Sequence, residues 1–169
     1  LEVQTCALPI CGFCQDIDAP LERDAGDGVS GGEDLAALFA ACQEPDDSRR
    51  WEQLDRLVDV DAFLTFCAME LMLGHWDGYC VGRNNYRLYF EPTTGRAVFF
   101  PHGMDQVFGE PQASILEHPG GHVAAAIMQH PAWRSRYRER LRELLPLFSS
   151  ERLLRSEEHT SELQSPYVI

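Results

Sequence analysis

Residues Trp76–Gly109, WDGYCVGRNNYRLYFEPTTGRAVFFPHGMDQVFG, decide the reading of this chain. Two short runs rich in aromatic and β-branched residues, Tyr86–Phe90 and Arg96–Phe100, flank Glu91-Pro92-Thr93-Thr94-Gly95. Pro presets φ and Gly tolerates positive φ, so the runs are expected to fold back as an antiparallel hairpin. Pro101-His102-Gly103-Met104-Asp105 then stops the ladder, because Pro has no N–H to donate and Gly loosens the backbone. Asp77 lies in a Gly-containing loop before the first run, closed by Asn84 and Asn85, and Asp105 lies just after the second. A two-stranded ribbon that starts after one acid and ends before the other holds both carboxylates at one end.

The order acid, loop, Asn, strand, turn, strand, acid is also the order of parts in the catalytic half of protein kinases. Asp77 and Asn85 are further apart than in H-R-D-x-x-x-x-N, and there is no Asp-Phe-Gly. The chain resembles instead the CotH-type (spore coat protein H) kinases, marked by a W-D-G-Y loop, an N-Y-x-L-Y strand, a D-P-x-T-G-like turn and P-W-D-x-D-x-x-F-G. The matching pieces here are Trp76–Tyr79, Asn85–Tyr89, Glu91–Gly95 and PHGMDQVFG at Pro101–Gly109. His102-Gly103 stands where the family usually has Trp-Asp, so this loop carries one acid fewer.

The resemblance implies an α+β fold, the C-terminal-lobe-like fragment of an atypical protein-kinase-like fold, with helices around one central β-hairpin. It implies transfer of the ATP γ-phosphate to protein Ser/Thr hydroxyls. Asp77 would accept or orient the hydroxyl proton, and Asp105 with Asn85 would hold Mg²⁺ or Mn²⁺; His75, Asn84 and His102 are possible accessory residues. No Lys occurs among the 14 cationic residues. The phosphate-contacting cation that a kinase needs is therefore expected upstream, or as Arg, and this piece alone is expected to be inactive.

The residues by themselves leave other roles open. Asp77 also reads as a loop cap, Asn85 as a partner for strand-edge backbone groups, and His75 and His102 as hydrogen-bonded structural residues. Trp76, Tyr79 and Phe108 read as packing, or as rim aromatics that stack on a base. A rival expectation is a non-catalytic spore-coat or surface interaction module on the same scaffold, favoured by His102-Gly103. A third is a metal-dependent hydrolase built on the two acids.

Both ends of the chain stand apart. Val3–Ile10 (VQTCALPI) and Arg155–Ser165 (RSEEHTSELQS) resemble translations of one common sequencing adapter read on its two strands. Residues 1–10 and 155–169 are therefore expected to lie outside the fold, like an expression scar, leaving an internal piece of a longer bacterial, metagenomic reading frame. Of that piece, residues 11–32 read as an Asp/Gly-rich loop or linker and residues 33–154 as the catalytic-lobe fragment.

A net charge of -13 argues against general affinity for nucleic acid or anionic membrane. No apolar run is long enough for a membrane span. A protein substrate is the expected partner. Neither location nor oligomeric state is readable; spore coat, cell surface and secretion all stay open. Cys11-x-x-Cys14 has metal-ligand spacing but no second pair follows, and Cys42 and Cys67 sit at apolar helical positions as small hydrophobes. The Asp spacing after Cys14 lacks the Gly and final Glu of a calcium loop.

From Glu33 the apolar period is helical. Leu35, Leu38, Phe39 and Cys42 mark one helix ending near Pro45. Ser48 is expected to cap a second, carrying Trp51, Leu54, Leu57 and Val58. Asp59 caps a third, whose stripe of Val60, Phe63, Leu64, Cys67, Ala68, Leu71 and Met72 delivers its C-terminal end to Asp77. After the hairpin, Glu110–Gly121 is irregular and is the expected segment to order over substrate. Val123–Met128 is a short helix, and Pro131 opens a last one, Ala132–Leu145. Its Trp133, Tyr137, Leu141, Leu144 and Leu145 pack, while its arginines form a solvated face paired with Glu139 and Glu143.

Overall fold

The computed structural model describes residues 3–6, 16–19, 21–25, 32–105, 107–110, 112–116 and 120–148. In chain order the elements are β1 (Val3–Cys6), β2 (Glu22–Ala25), α1 (Glu33–Gln43), α2 (Asp47–Leu57), α3 (Val60–Met72), α4 (Tyr79–Gly82), β3 (Tyr86–Phe90), β4 (Ala97–Pro101), α5 (His122–Gln129) and α6 (Pro131–Leu144). A 3-10 turn, Leu145–Phe148, follows. The architecture is α+β, as expected.

The hairpin forms in the expected place, with antiparallel register from Tyr86↔Pro101 to Phe90↔Ala97. Its turn is held by Glu91, whose carboxylate accepts from the Thr93 hydroxyl and from the Thr93 and Thr94 amides at 3.0 and 2.8 Å. These bonds, that of the Thr93 side chain first, hold its carboxyl at about 2. Gly95 takes the expected left-handed conformation, φ 68°. Arg96 N–H donates to Thr94 Oγ1, which draws Arg96 into the turn, so β4 starts one residue later than expected.

The hairpin is not the whole sheet. Among the described residues four strands run in the order β2-β1-β3-β4, and Val3–Cys6, expected outside the fold, pairs antiparallel with both β2 and β3. A β3 edge left open would present unpaired N–H and C=O groups, the template on which a further strand adds. Residues 11–32, expected as loop or linker, contain β2 and a turn at Asp16–Ala19. Cys11, Cys14 and residues 155–169 lie outside the described residues.

Helix α3 packs against β4 and α6. Asp59 caps it as expected, accepting from Ala62 N–H at 3.0 Å. It buries more than the expected stripe, since Phe66 and Glu70 are also inside. The cap of α2 is Asp46 rather than Ser48. Asp46 is extended, and its carboxylate accepts from Arg49 N–H at 2.9 Å, which leaves Ser48 in the first turn. Cys67 is buried as expected, and burial, then the charge of Asp16, pushes the half-buried Cys42 thiol up to about 12. In α6, Trp133, Tyr137 and Leu141 are buried, but Leu145 is exposed because the helix tightens there. Arg136 pairs with Asp61 and Arg140 with Glu143.

The core centre is aromatic. Tyr79 lies 4.7 Å from Tyr86 and 5.0 Å from Phe99, and Phe63 lies 4.9 Å from Phe99, ring centre to ring centre. Tyr79 is fully buried, so its hydroxyl needs partners inside. It donates to Asp16 Oδ1 at 3.2 Å and accepts from Val123 N–H at 3.1 Å, while Asp16 Oδ2 accepts from His122 N–H at 2.7 Å. Among the described residues no helix is long and apolar enough to cross a membrane.

Tyr79→Phe leaves a buried amide and a buried carboxylate short of a partner. The expected loss is about 1–3 kcal/mol, read from urea unfolding. His130 generates a pH dependence. Its Nδ1 accepts from Trp133 N–H at 3.3 Å as the α6 cap, with the Trp133 ring stacked on it and the Trp51 ring edge-on to it. Burial, then the Arg136 guanidinium, lowers its pKa below the ordinary 6.5. The folded state thus binds the proton more weakly than the unfolded chain. This contribution is full above 6.5 and is lost as pH falls through 6.5 toward the folded value. Thermal melts should show that acid-side loss, and His130→Asn, which caps without titrating there, should reduce it.

Candidate functional site

Helix α3 ends at Met72, and the chain turns back through Leu73–Gly78 before α4 begins. The expected open loop after Asp77 is in part this one-turn helix. Its N-terminal amides are satisfied by an acid from α3: Glu70 Oε1 accepts from Tyr79 N–H at 3.2 Å, and Oε2 accepts from Cys80 N–H at 2.8 Å. Burial pushes the Glu70 carboxyl up, opposed by these donors and by neighbouring His75.

Asp77 is half-buried and is held from the other side of the loop. Its Oδ1 accepts from Asn84 Nδ2 at 3.2 Å and its Oδ2 from Asn85 Nδ2 at 2.7 Å. Two amides from consecutive residues thus aim one carboxylate. For Asn85 to do so it adopts a left-handed backbone, φ 48°, which Asn tolerates better than most residues. Among the described residues, Arg83 and Phe108, at φ 55° and 58°, are the other non-glycine residues in this region of φ, and both belong to the loops around Asp77. Such conformations persist where surrounding structure over-determines them.

The loop carrying Asp105 is tied down on both sides of Asp77. At its start His102 N–H donates to Asn85 O at 2.9 Å; at its end Phe108 N–H donates to Leu73 O at 2.7 Å and Gly109 N–H to Gly74 O at 3.1 Å. Gly103, φ 55°, lies against the Asn85 side chain, where an added Cβ would come within 2.9 Å of Oδ1. Asp105 itself is exposed. His75 is fully buried with Nε2 3.4 Å from His102 O, and His102 is half-buried. The hairpin therefore brings together Asp77, Asn84, Asn85, His75 and the backbone of the His102 loop. Among the described residues no group of three or more His, Cys, Asp or Glu is placed to hold a metal ion.

Residues 22–168 match the family model described as CotH kinase protein. This chain belongs to that family. The matched range starts with β2 and runs past Arg155. Among curated proteins, it is 31% identical over 88 residues to Invasin CotH2 of Rhizopus delemar, covering 51% of this chain and 14% of that one. It is 30% identical over 69 residues to Invasin CotH3 of the same fungus, covering 41% and 11%. The chain thus spans under one sixth of either relative.

In this CotH protein the W-D-G-Y piece has divided roles. Trp76 is 52% exposed and Phe108 75% exposed, so neither is the core residue its aromatic character suggested, whereas Tyr79 is. Beside Trp76 a largely apolar cleft of about 440 Å³ opens between α4 and the described part of Glu110–Gly120; Asp77, Asn85 and Asp105 do not line it. The Glu110–Gly121 segment is anchored by Gly120 N–H to Cys80 O at 2.7 Å and by Tyr137 OH to Ile115 O at 2.6 Å. Sequence reasoning missed Glu70 and Asp16. A lone acid on the otherwise apolar face of α3 was the available signal for the first; nothing local signals the second.

Asn85→Asp replaces the donor beside Asp77 Oδ2 with a second carboxylate. Stability should fall by about 1–3 kcal/mol at neutral pH and be partly recovered on acidification, as one of the pair takes up a proton. Thermal melts at neutral and mildly acidic pH check this.

Proposed function

We propose that this CotH chain is the catalytic-site portion of an ATP-dependent atypical protein kinase that transfers the γ-phosphate to protein Ser/Thr hydroxyls. The observation that carries this reading is the double amide clamp on Asp77, facing a loop anchored on both sides of it. A carboxylate fixed by Asn84 and Asn85 in a half-buried loop is suited to orient an acceptor hydroxyl and take its proton. Phosphoryl transfer asks little covalent chemistry of a protein, so such placement is the main contribution. Asp105, exposed in the anchored loop, is the acid we assign to the metal.

The donor chemistry of the assigned residues supports a hard cation. Asn85 Nδ2 is committed to Asp77, which leaves its oxygen, together with the Asp105 carboxylate, as hard donors. Oxygen donors of this kind suit Mg²⁺ or Mn²⁺ entering with the nucleotide. Bound there, the cation would neutralise charge on the phosphates.

Gly103, where an acid is usual, favours a second reading: a surface module that keeps the scaffold without transfer. The invasin names of the two fungal relatives are compatible with such a role. The test is transfer of labelled γ-phosphate by the complete protein with Mg²⁺ or Mn²⁺, beside Asp105→Ala. Asp105 is exposed, so the variant should fold normally, with transfer reduced to background. Undiminished transfer removes Asp105 from the site; no label and no nucleotide binding by the wild type supports the module.

A further inference from the structure

We propose that buried Glu70 is a positioning residue for Asp77, acting through the backbone of Gly78–Cys80. This rests on the reading of Asp77 as the group that orients the acceptor hydroxyl.

Glu70 is 1% exposed in an otherwise apolar part of α3, a costly place for a carboxyl unless it has a specific task. Both its oxygens are used on consecutive amides, those of Tyr79 and Cys80, which begin one residue beyond the Asp77–Gly78 peptide. The contact is close enough to dictate residue 78. A Cβ on Gly78 would lie 2.7 Å from Glu70 Oε1 and 2.7 Å from His75 Cδ2. Gly78 has φ -82°, a conformation open to any L residue, so glycine is required there by the approach of Glu70 and His75 and not by its own backbone.

Asp77 is therefore gripped from both sides. Asn84 and Asn85 hold the carboxylate, and Glu70 holds the chain immediately after it. His75, wedged between Glu70 and the His102 carbonyl, carries the same packing to the loop of Asp105. Removing the Glu70 grip frees the backbone on one side of Asp77 while leaving the side-chain clamp in place.

Two variants break the contact independently. Glu70→Gln replaces one acceptor oxygen with an amide donor facing an N–H, and Gly78→Ala forces Glu70 and His75 away without backbone strain. In the complete protein, with casein and the protein itself as acceptors, each should lower kcat roughly 10- to 100-fold with KM for ATP within about two-fold. Amide hydrogen exchange at Tyr79 and Cys80 should be faster in each, and near-UV circular dichroism should remain native. Wild-type kcat per folded molecule, unchanged exchange at the two amides, or failure of both variants to fold would each overturn the positioning role. Absence of transfer by the wild type would sink the kinase reading alone. The positioning of the loop would then stand or fall on the exchange measurement.

Discussion

A phenol hydroxyl with no access to water must find its partners inside the protein, and the surroundings of Asp77 depend on how Tyr79 does so. Its ring fills the centre of the aromatic core, and its hydroxyl ties the Asp16 turn to the start of α5. An added Cβ at Gly121 would come within 2.3 Å of that ring, so the α5 entry is shaped around it as closely as α4 is. Because Tyr79 is two residues from Asp77, three distant segments converge to immobilise the peptide that leads out of the site.

The same economy governs the polar groups nearer the solvent. Glu70 closes the N-terminus of a helix too short to stabilise itself, Asn84 and Asn85 close on Asp77, and main-chain bonds from residues 102, 108 and 109 close the loop of Asp105. Each satisfies groups that a turn leaves unpaired. Together they hold in place left-handed residues, Asn85 and Phe108 among them, that an isolated loop would not retain. The hydrogen bonds lie in the supporting network, while Asp105 and Trp76 are exposed.

Much of this was legible along the chain. The hairpin follows from a Pro and a Gly between two β-prone runs, and α3 from its apolar period and its Asp59 cap, because each depends on residues a few positions apart. The clamp on Asp77 was half legible: Asn84 and Asn85 were marked as loop-closing residues, but that both amides converge on one carboxylate depends on the positive φ of Asn85. Leu145 and Ser48 show the opposite case. Local pattern admitted each to a role that a neighbour's geometry assigned elsewhere.

The sequence by itself determined the family, the hairpin and the order of the long helices from α1 to α3 and of α5 and α6, since these are written in short-range spacing and in motif. Only the tertiary structure decided that Glu70 is inside, that Asp16 serves residues 79 and 122, that Val3–Cys6 completes a sheet, and that Trp76 faces outward. A carboxyl on a helix ordinarily points to water, and an acid in an Asp/Gly-rich stretch ordinarily belongs to a solvated loop. Burial reverses both expectations when amides from remote segments supply the hydrogen bonds that water would have given, and no local pattern records where those amides come from.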